Sequence, residues 1–271
     1  MGEEVWIAFL LTLMAGLATG IGSLIAFFTS TTNTKFLSWA LGFSAGVMIF
    51  ISFVEIFPKA LEALTNGSGV ETGKWLTVLS FFCGMLLIAI IDRFVPNEKN
   101  PHEVKKVEDM NRSLREVHKQ QPDLLKMGTF TALAIAIHNF PEGIATFASA
   151  LHDPTLGIAI AIAVAIHNIP EGIAVSVPVY FATGSRKKAF KLSFLSGLAE
   201  PLGAVVAFLF LMPYLNEMMF GFIFAAVAGI MVFISLDELL PAAREYDEGH
   251  STIYGVVFGM AIMAVSIILF M

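Results

Sequence analysis

Two stretches of the chain, AIHNFPEGIA at residues 136–145 and AIHNIPEGIA at residues 165–174, set histidine, asparagine, proline and glutamate inside runs that are otherwise apolar. His138 and Glu142 are four residues apart and Asn139 and Glu142 three apart, so a helix presents all three on one face. His167, Asn168 and Glu171 repeat the arrangement. Pro141 and Pro170 have no N–H to give, which frees the carbonyls of Ile137 and Ile166 and bends each helix beside the polar set. Gly143 and Gly172 permit close helix approach at the same level. A further carboxylate, Glu200, precedes Pro201 in another apolar run.

A single histidine or asparagine in such a run is explained by hydrogen bonds between helices. The carboxylates are not. Each ionised glutamate in a hydrocarbon core costs about 2.5 to 3.5 kcal/mol, so Glu142, Glu171 and Glu200 together cost on the order of 8 to 10. No Lys or Arg within an apolar run can offset this: the two that fall inside one, Arg93 and Lys191, lie at the run's end. Either the carboxylates are protonated or a cation joins them. Two imidazoles, two amides and three carboxylates suit zinc and other first-row divalent ions, and are too rich in nitrogen for a dedicated Mg or Ca site.

The elements that must position these groups are membrane helices. The chain of 271 residues is 56% hydrophobic and 14% charged, with a mean hydropathy of +0.78, far from the mix of a soluble globular domain. Eight runs, about 5–28, 36–58, 75–95, 127–151, 155–183, 189–214, 219–241 and 253–271, each suffice to cross a core that needs about 20 helical residues. They are apolar all round, whereas barrel strands alternate over about ten residues. The expected fold is all-α: one polytopic transmembrane domain over residues 1–271 with eight spans. The first run is flanked by Glu3 and Glu4 without Lys or Arg, the reverse of a signal peptide, and is expected to stay as a helix. Cys83, the one cysteine, lies in the third span and is expected to be a small packing residue.

The basic residues set the orientation. With the N-terminus outside, the inner loops hold Lys35, Arg93, Lys99, Lys105, Lys106, Arg112, Arg115, Lys119, Lys126, Arg186, Lys187, Lys188, Lys191 and Arg244, which is 14 of the 16 Lys and Arg. Both termini are then outside. Residues 96–126 read as a cytoplasmic linker in which EVKKVEDMNRSLREVHKQQ has the pattern of a short amphipathic helix. Its widely spaced His102 and His118 are given no role. The net charge of −6 says little about partners, and nothing points to nucleic acid; the surroundings are membrane lipid.

Internal repeats order the spans. AGVMIFISFVEIFPKALE, from residue 45, aligns without a gap on the segment from residue 228, with ten identities in eighteen positions, among them Ser52 with Ser235, Glu55 with Glu238 and Pro58 with Pro241. This pairs span 2 with span 7. GLATGIGSLIAF at 16–27 matches GLAEPLGAVVAF at 197–208, pairing span 1 with span 6, and Gly84-Met85 match Gly259-Met260, pairing span 3 with span 8. Paired spans five crossings apart run in opposite directions, as do spans 4 and 5. The arrangement is 3+2+3 with inverted repeats, an architecture of transporters that hold substrate near the midplane.

The paired H-N-x-P-E-G motifs, the eight spans and the 3+2+3 order resemble the ZIP (Zrt/Irt-like) family of divalent metal transporters, most closely its bacterial ZupT-like branch, over essentially the whole chain. The resemblance implies an importer of zinc, and of iron, manganese, cobalt or cadmium, working by alternating access in a bacterial inner or plasma membrane. It implies a binuclear centre: His138, Glu142, His167 and Glu171 for one ion, and Asn139, Glu142, Asn168, Glu171 and Glu200 for the other, with the two glutamates bridging. It places Glu55 near the outer mouth and Asp237 and Glu238 near the cytoplasmic mouth. Divalent metal is cargo here, no cofactor is expected, and a homodimer is compatible. The histidine-rich loop that some members carry between spans 3 and 4 is lacking. A metal-selective channel would use the same ligands. An intramembrane zinc metallohydrolase would leave the missing H-E-x-x-H and the inverted repeats unexplained.

Overall fold

The computed structural model describes residues 2–28, 34–94, 121–214, 216–245 and 249–270, and among these there are helices and turns but no strand. In chain order they are α1 (Glu3–Phe28), α2 (Thr34–Ile51), α3 (Phe57–Ser68), α4 (Val70–Phe94), α5 (Gln121–His152), α6 (Pro154–Thr183), α7 (Arg186–Gly197), α8 (Ala199–Val206), α9 (Glu217–Ile234), α10 (Leu240–Glu245) and α11 (Ser251–Phe270). Short π-helical turns at Ser52–Ile56, Ala207–Leu211 and Ser235–Leu239 join α2 to α3, extend α8, and join α9 to α10. Seven columns among the described residues are long and apolar enough to cross a membrane: Glu3–Leu24, Ser38–Ser68, Val70–Arg93, Pro154–Ile173, Arg186–Leu211, Glu217–Arg244 and Ser251–Leu269. The fourth expected span lies in α5, a continuous helix of 32 residues that is not among the seven. Residues 96–120 of the expected linker lie outside the described residues.

Local chemistry sets the boundaries. Asp153 caps α6 by accepting from Thr155 N and Leu156 N, with Pro154 at the first helical position, and Gly184 closes the helix at φ +62. Ser185 caps α7 through Lys188 N, and Asn216 caps α9 through Met219 N. The second column runs on past Pro58 to Ser68, ten residues beyond the expected end of span 2. The π-helical turns at Ser52–Ile56 and Ser235–Leu239 fall on aligned residues of the repeat. Each opens on a serine whose Oγ donates to the carbonyl one turn back, Ser52 to Met48 at 2.7 Å and Ser235 to Met231 at 2.8 Å. Two residues after each turn, Pro58 and Pro241 have no N–H for the ladder.

The helices pack through glycine and backbone. α1 lies on α6 and α8 on α5, while α2 lies on α11 and α9 on α4. A Cβ on Gly46 would meet Val256 O, and one on its repeat counterpart Gly229 would meet Phe81 O. Gly172 likewise sits against Thr19 O, and Gly143 against Glu200 O. In the repeat alignment Val256 corresponds to Phe81 and Thr19 to Glu200, so the contacts recur in register. The main apolar core lies among α2, α3, α4, α5, α6, α9 and α11, with Met48, Phe224 and Ile234 fully enclosed. Trp75, Leu79, Phe82 and Leu86 of α4 and Val257 and Ile268 of α11 are exposed apolar residues, as a lipid-facing surface requires. Cys83 is exposed on α4, not packed inside as expected; a helix that is apolar all round carries no period to say which face turns inward.

Candidate metal centre

α5 and α6 pack side by side and bring the two motifs to one level, with both helices running through their prolines. All seven expected ligands are buried, Asn139, His167, Asn168 and Glu200 completely. His167 Nδ1 lies 3.1 Å from Ala163 O, and its Nε2 lies 3.2 Å from Glu142 Oε2. A carbonyl can only accept, so Nδ1 carries the proton and Nε2 turns its lone pair toward the carboxylate. Two acceptors face one another, and only a shared cation, proton or metal, reconciles them. A backbone carbonyl that fixes the tautomer in this way leaves Nε2 as the nitrogen with a lone pair to offer.

The remaining donors form similar pairs. Asn168 Nδ2 donates to Ala15 O at 2.9 Å and to Glu200 Oε1. The Asn139 amide donates to Ser196 O at 3.4 Å in one orientation. In the other it donates to Ile135 O at 3.1 Å and to Glu171 Oε2 at 3.2 Å, which satisfies more of its atoms and is the better arrangement. Glu142 Oε1, Asn168 Oδ1 and Glu200 Oε2 are buried with no hydrogen-bond partner among the described residues. An orphaned buried oxygen costs about 1 to 3 kcal/mol, more when charged, so each of the three calls for a donor or a positive charge. Among the described residues no three His, Cys, Asp or Glu side chains are gathered closely enough to hold a metal ion as they stand. The donors stand as pairs.

The three outlying acidic residues are placed differently from one another. Asp237 is exposed. Glu238 is 5% exposed, and its Oε1 lies 3.0 Å from His138 Nε2, so it reaches the edge of the centre. Glu55, its repeat counterpart, is also buried and lines a cavity between the second column and the start of α6. Ser23 and Ser193 both donate to Gly172 O, at 3.3 and 3.2 Å, and brace α6 beside Glu171. Sequence reading passes over both serines, since a hydroxyl in an apolar helix is ordinary.

The family described as ZIP zinc transporter matches residues 3–267. A protein named zinc transporter ZupT from Oceanobacillus iheyensis is 72% identical over 267 residues, covering 98% of this chain and 99% of the relative. Proteins of the same name from Lysinibacillus sphaericus and Streptococcus mutans are 70% identical over 269 residues and 62% identical over 271, covering at least 99% of both chains in each case. With its columns long enough to cross a membrane several times, the chain belongs to the ZIP zinc transporter family, a multi-pass membrane transporter and not an enzyme.

Proposed function

We propose that the chain imports Zn2+ into the cytoplasm through the centre between α5 and α6, by alternating access in the cell membrane with both termini outside. The close relatives named as zinc transporters support the cargo, and the imidazole and carboxylate set also accommodates Fe2+, Mn2+, Co2+ and Cd2+. The observation that carries the reading is the group of buried Glu142, Asn168 and Glu200 oxygens without donors, beside a His167 nitrogen whose lone pair faces a carboxylate. On this reading His138, Glu142, His167 and Glu171 take one ion and Asn139, Glu142, Asn168, Glu171 and Glu200 the second.

Alternating access is supported by the in-register glycine contacts and by the shared π-helical turns of the second and seventh columns. An inverted 3+2+3 arrangement can hold one site in two related conformations. The present conformation is unequal at its ends: Glu238 is drawn onto His138, while Glu55 borders open space. Zn2+ uptake into proteoliposomes, measured against a panel of divalent ions, tests the reading. Saturable uptake is expected. Absent flux overturns transport, and flux that does not saturate indicates a channel.

A further inference from the structure

Glu55 and Glu238 occupy equivalent positions in equivalent π-helical turns, yet only Glu238 reaches a basic side chain. Glu55 is 8% exposed and makes no hydrogen bond or ion pair among the described residues. It lines a cavity of about 280 Å³ together with Lys59, Asp153, Thr155, Leu156 and Ala159. Lys59 stands one helical turn beyond Glu55 on the same column. Asp153 is held in place by its capping role: its Oδ1 accepts from Thr155 N at 2.9 Å and Leu156 N at 3.4 Å, and Oδ2 is outside those bonds. Two carboxylates thus share one cavity with a single tethered ammonium.

We propose that Glu55 and Asp153 form a second cation site, an oxygen-only station that takes a hydrated divalent metal ion in exchange for the ammonium of Lys59. Deepening the transport reading, it makes this cavity the loading chamber for the centre below. Asp153 is eleven residues from Glu142 along α5, about 16 Å at 1.5 Å per residue. The chamber has room for an ion that keeps about six waters, at roughly 30 Å³ each. Its donors are carboxylates and a hydroxyl, hard ligands that hold divalent ions weakly and with little preference. Selection is left to the imidazoles of the centre. Lys59 keeps the carboxylates compensated between ions and competes with each arriving one, so the affinity stays low enough for onward release.

The test separates this site from the transport reading. Zn2+ binding is measured by equilibrium dialysis on purified full-length protein in which Glu142→Gln and Glu171→Gln have removed the shared ligands of the centre. A weak site should remain, displaced by excess Mg2+. Adding Asp153→Asn, which keeps the helix cap because asparagine caps as well as aspartate, should weaken it at least ~tenfold, as should Glu55→Gln. Lys59→Met, which keeps the apolar stem, should tighten it. In otherwise native protein, Asp153→Asn should raise the KM for Zn2+ uptake ~tenfold with kcat unchanged, and Lys59→Met should lower KM. Absence of the weak site in the Glu142→Gln, Glu171→Gln protein, or a weak site indifferent to Asp153, Glu55 and Mg2+, overturns the proposal. Those binding results stand whether or not the wild-type protein shows flux.

Discussion

The contact between His138 Nε2 and Glu238 Oε1, 3.0 Å with both side chains buried, fastens α5 to the π-helical turn between α9 and α10, and its replacement has a calculable effect. Glu238→Gln keeps the volume and an acceptor oxygen but removes the charge. A hydrogen bond to a charged group contributes about 1.5 to 3 kcal/mol and a neutral one about 0.5 to 1.5, so the change costs this conformation roughly 1 to 1.5 kcal/mol. A conformation in which Glu238 has left His138 loses nothing by the same change. The ratio of the two therefore moves by about tenfold, since about 1.4 kcal/mol is one decade. The assay is thiol modification from each side of the membrane, in protein where Cys83→Ala has removed the one native cysteine, which is exposed. Ser235→Cys, buried in this conformation in the same π-helical turn as Glu238, should react up to ~tenfold faster in the Glu238→Gln background, and Thr155→Cys, exposed on the Glu55 cavity, correspondingly slower. Saturating Zn2+ should shift the two reactivities in opposite directions. If Glu238→Gln leaves both rates unchanged, the contact is not what holds this conformation.

Replacing Glu142 or Glu171 by alanine should abolish Zn2+ uptake while monodisperse protein is still recovered from the membrane; wild-type uptake in both variants would move the site elsewhere. Uptake at subsaturating metal should fall in acid, because a protonated imidazole has no lone pair to give: with an unperturbed pKa of about 6.5, one ligating histidine implies roughly tenfold loss at pH 5.5, and a flat profile from pH 7.5 would exclude imidazole ligation. Gly172→Ala should lower thermal stability by about 1 to 3 kcal/mol, because its Cβ would meet the backbone oxygen of Thr19; a differential melt in detergent reads this, and an unchanged midpoint refutes the close packing of α6 on α1. Finally, His118→Cys should resist a membrane-impermeant reagent applied outside intact cells, and ready labelling there would reverse the orientation.

The buried polar cluster is legible in the sequence because its cost is. Histidine, asparagine and glutamate at helical spacing within apolar runs demand a compensating reason, and the structure indeed buries all seven residues. The reach of Glu238 to His138 is not legible, since it depends on how α9 and its π-helical turn lie against α5, a contact between residues 100 positions apart. Nor is the end of the second column. Pro58, Lys59 and Glu62 look like the start of a loop, but the helix continues through them with Ala60, Ala63 and Leu64 packed inward. The fourth span shows the converse: its polar residues point to function and at the same time dilute the apolar signal by which a span is recognised.

The pairing of repeats also exposes a deliberate inequality at the centre. Asn168 donates to Ala15 O, and the Asn139 amide lies beside Ser196 O, the counterpart of Ala15 O in the alignment of span 1 with span 6. Four residues further along that alignment, however, Glu200 corresponds to Thr19, whose buried Oγ1 has no partner among the described residues. A backbone repeated in register thus carries a carboxylate on one side of the motif pair and a hydroxyl on the other. Were the donors as symmetric as the glycine contacts, an ion would interact equally with both halves. A ligand that binds two conformations equally shifts neither. On the proposed reading, the symmetric backbone keeps the two conformations close in packing energy. Glu200, together with the unequal placement of Glu55 and Glu238, gives the ion a differential hold on them, and that differential is what couples metal occupancy to the change of access.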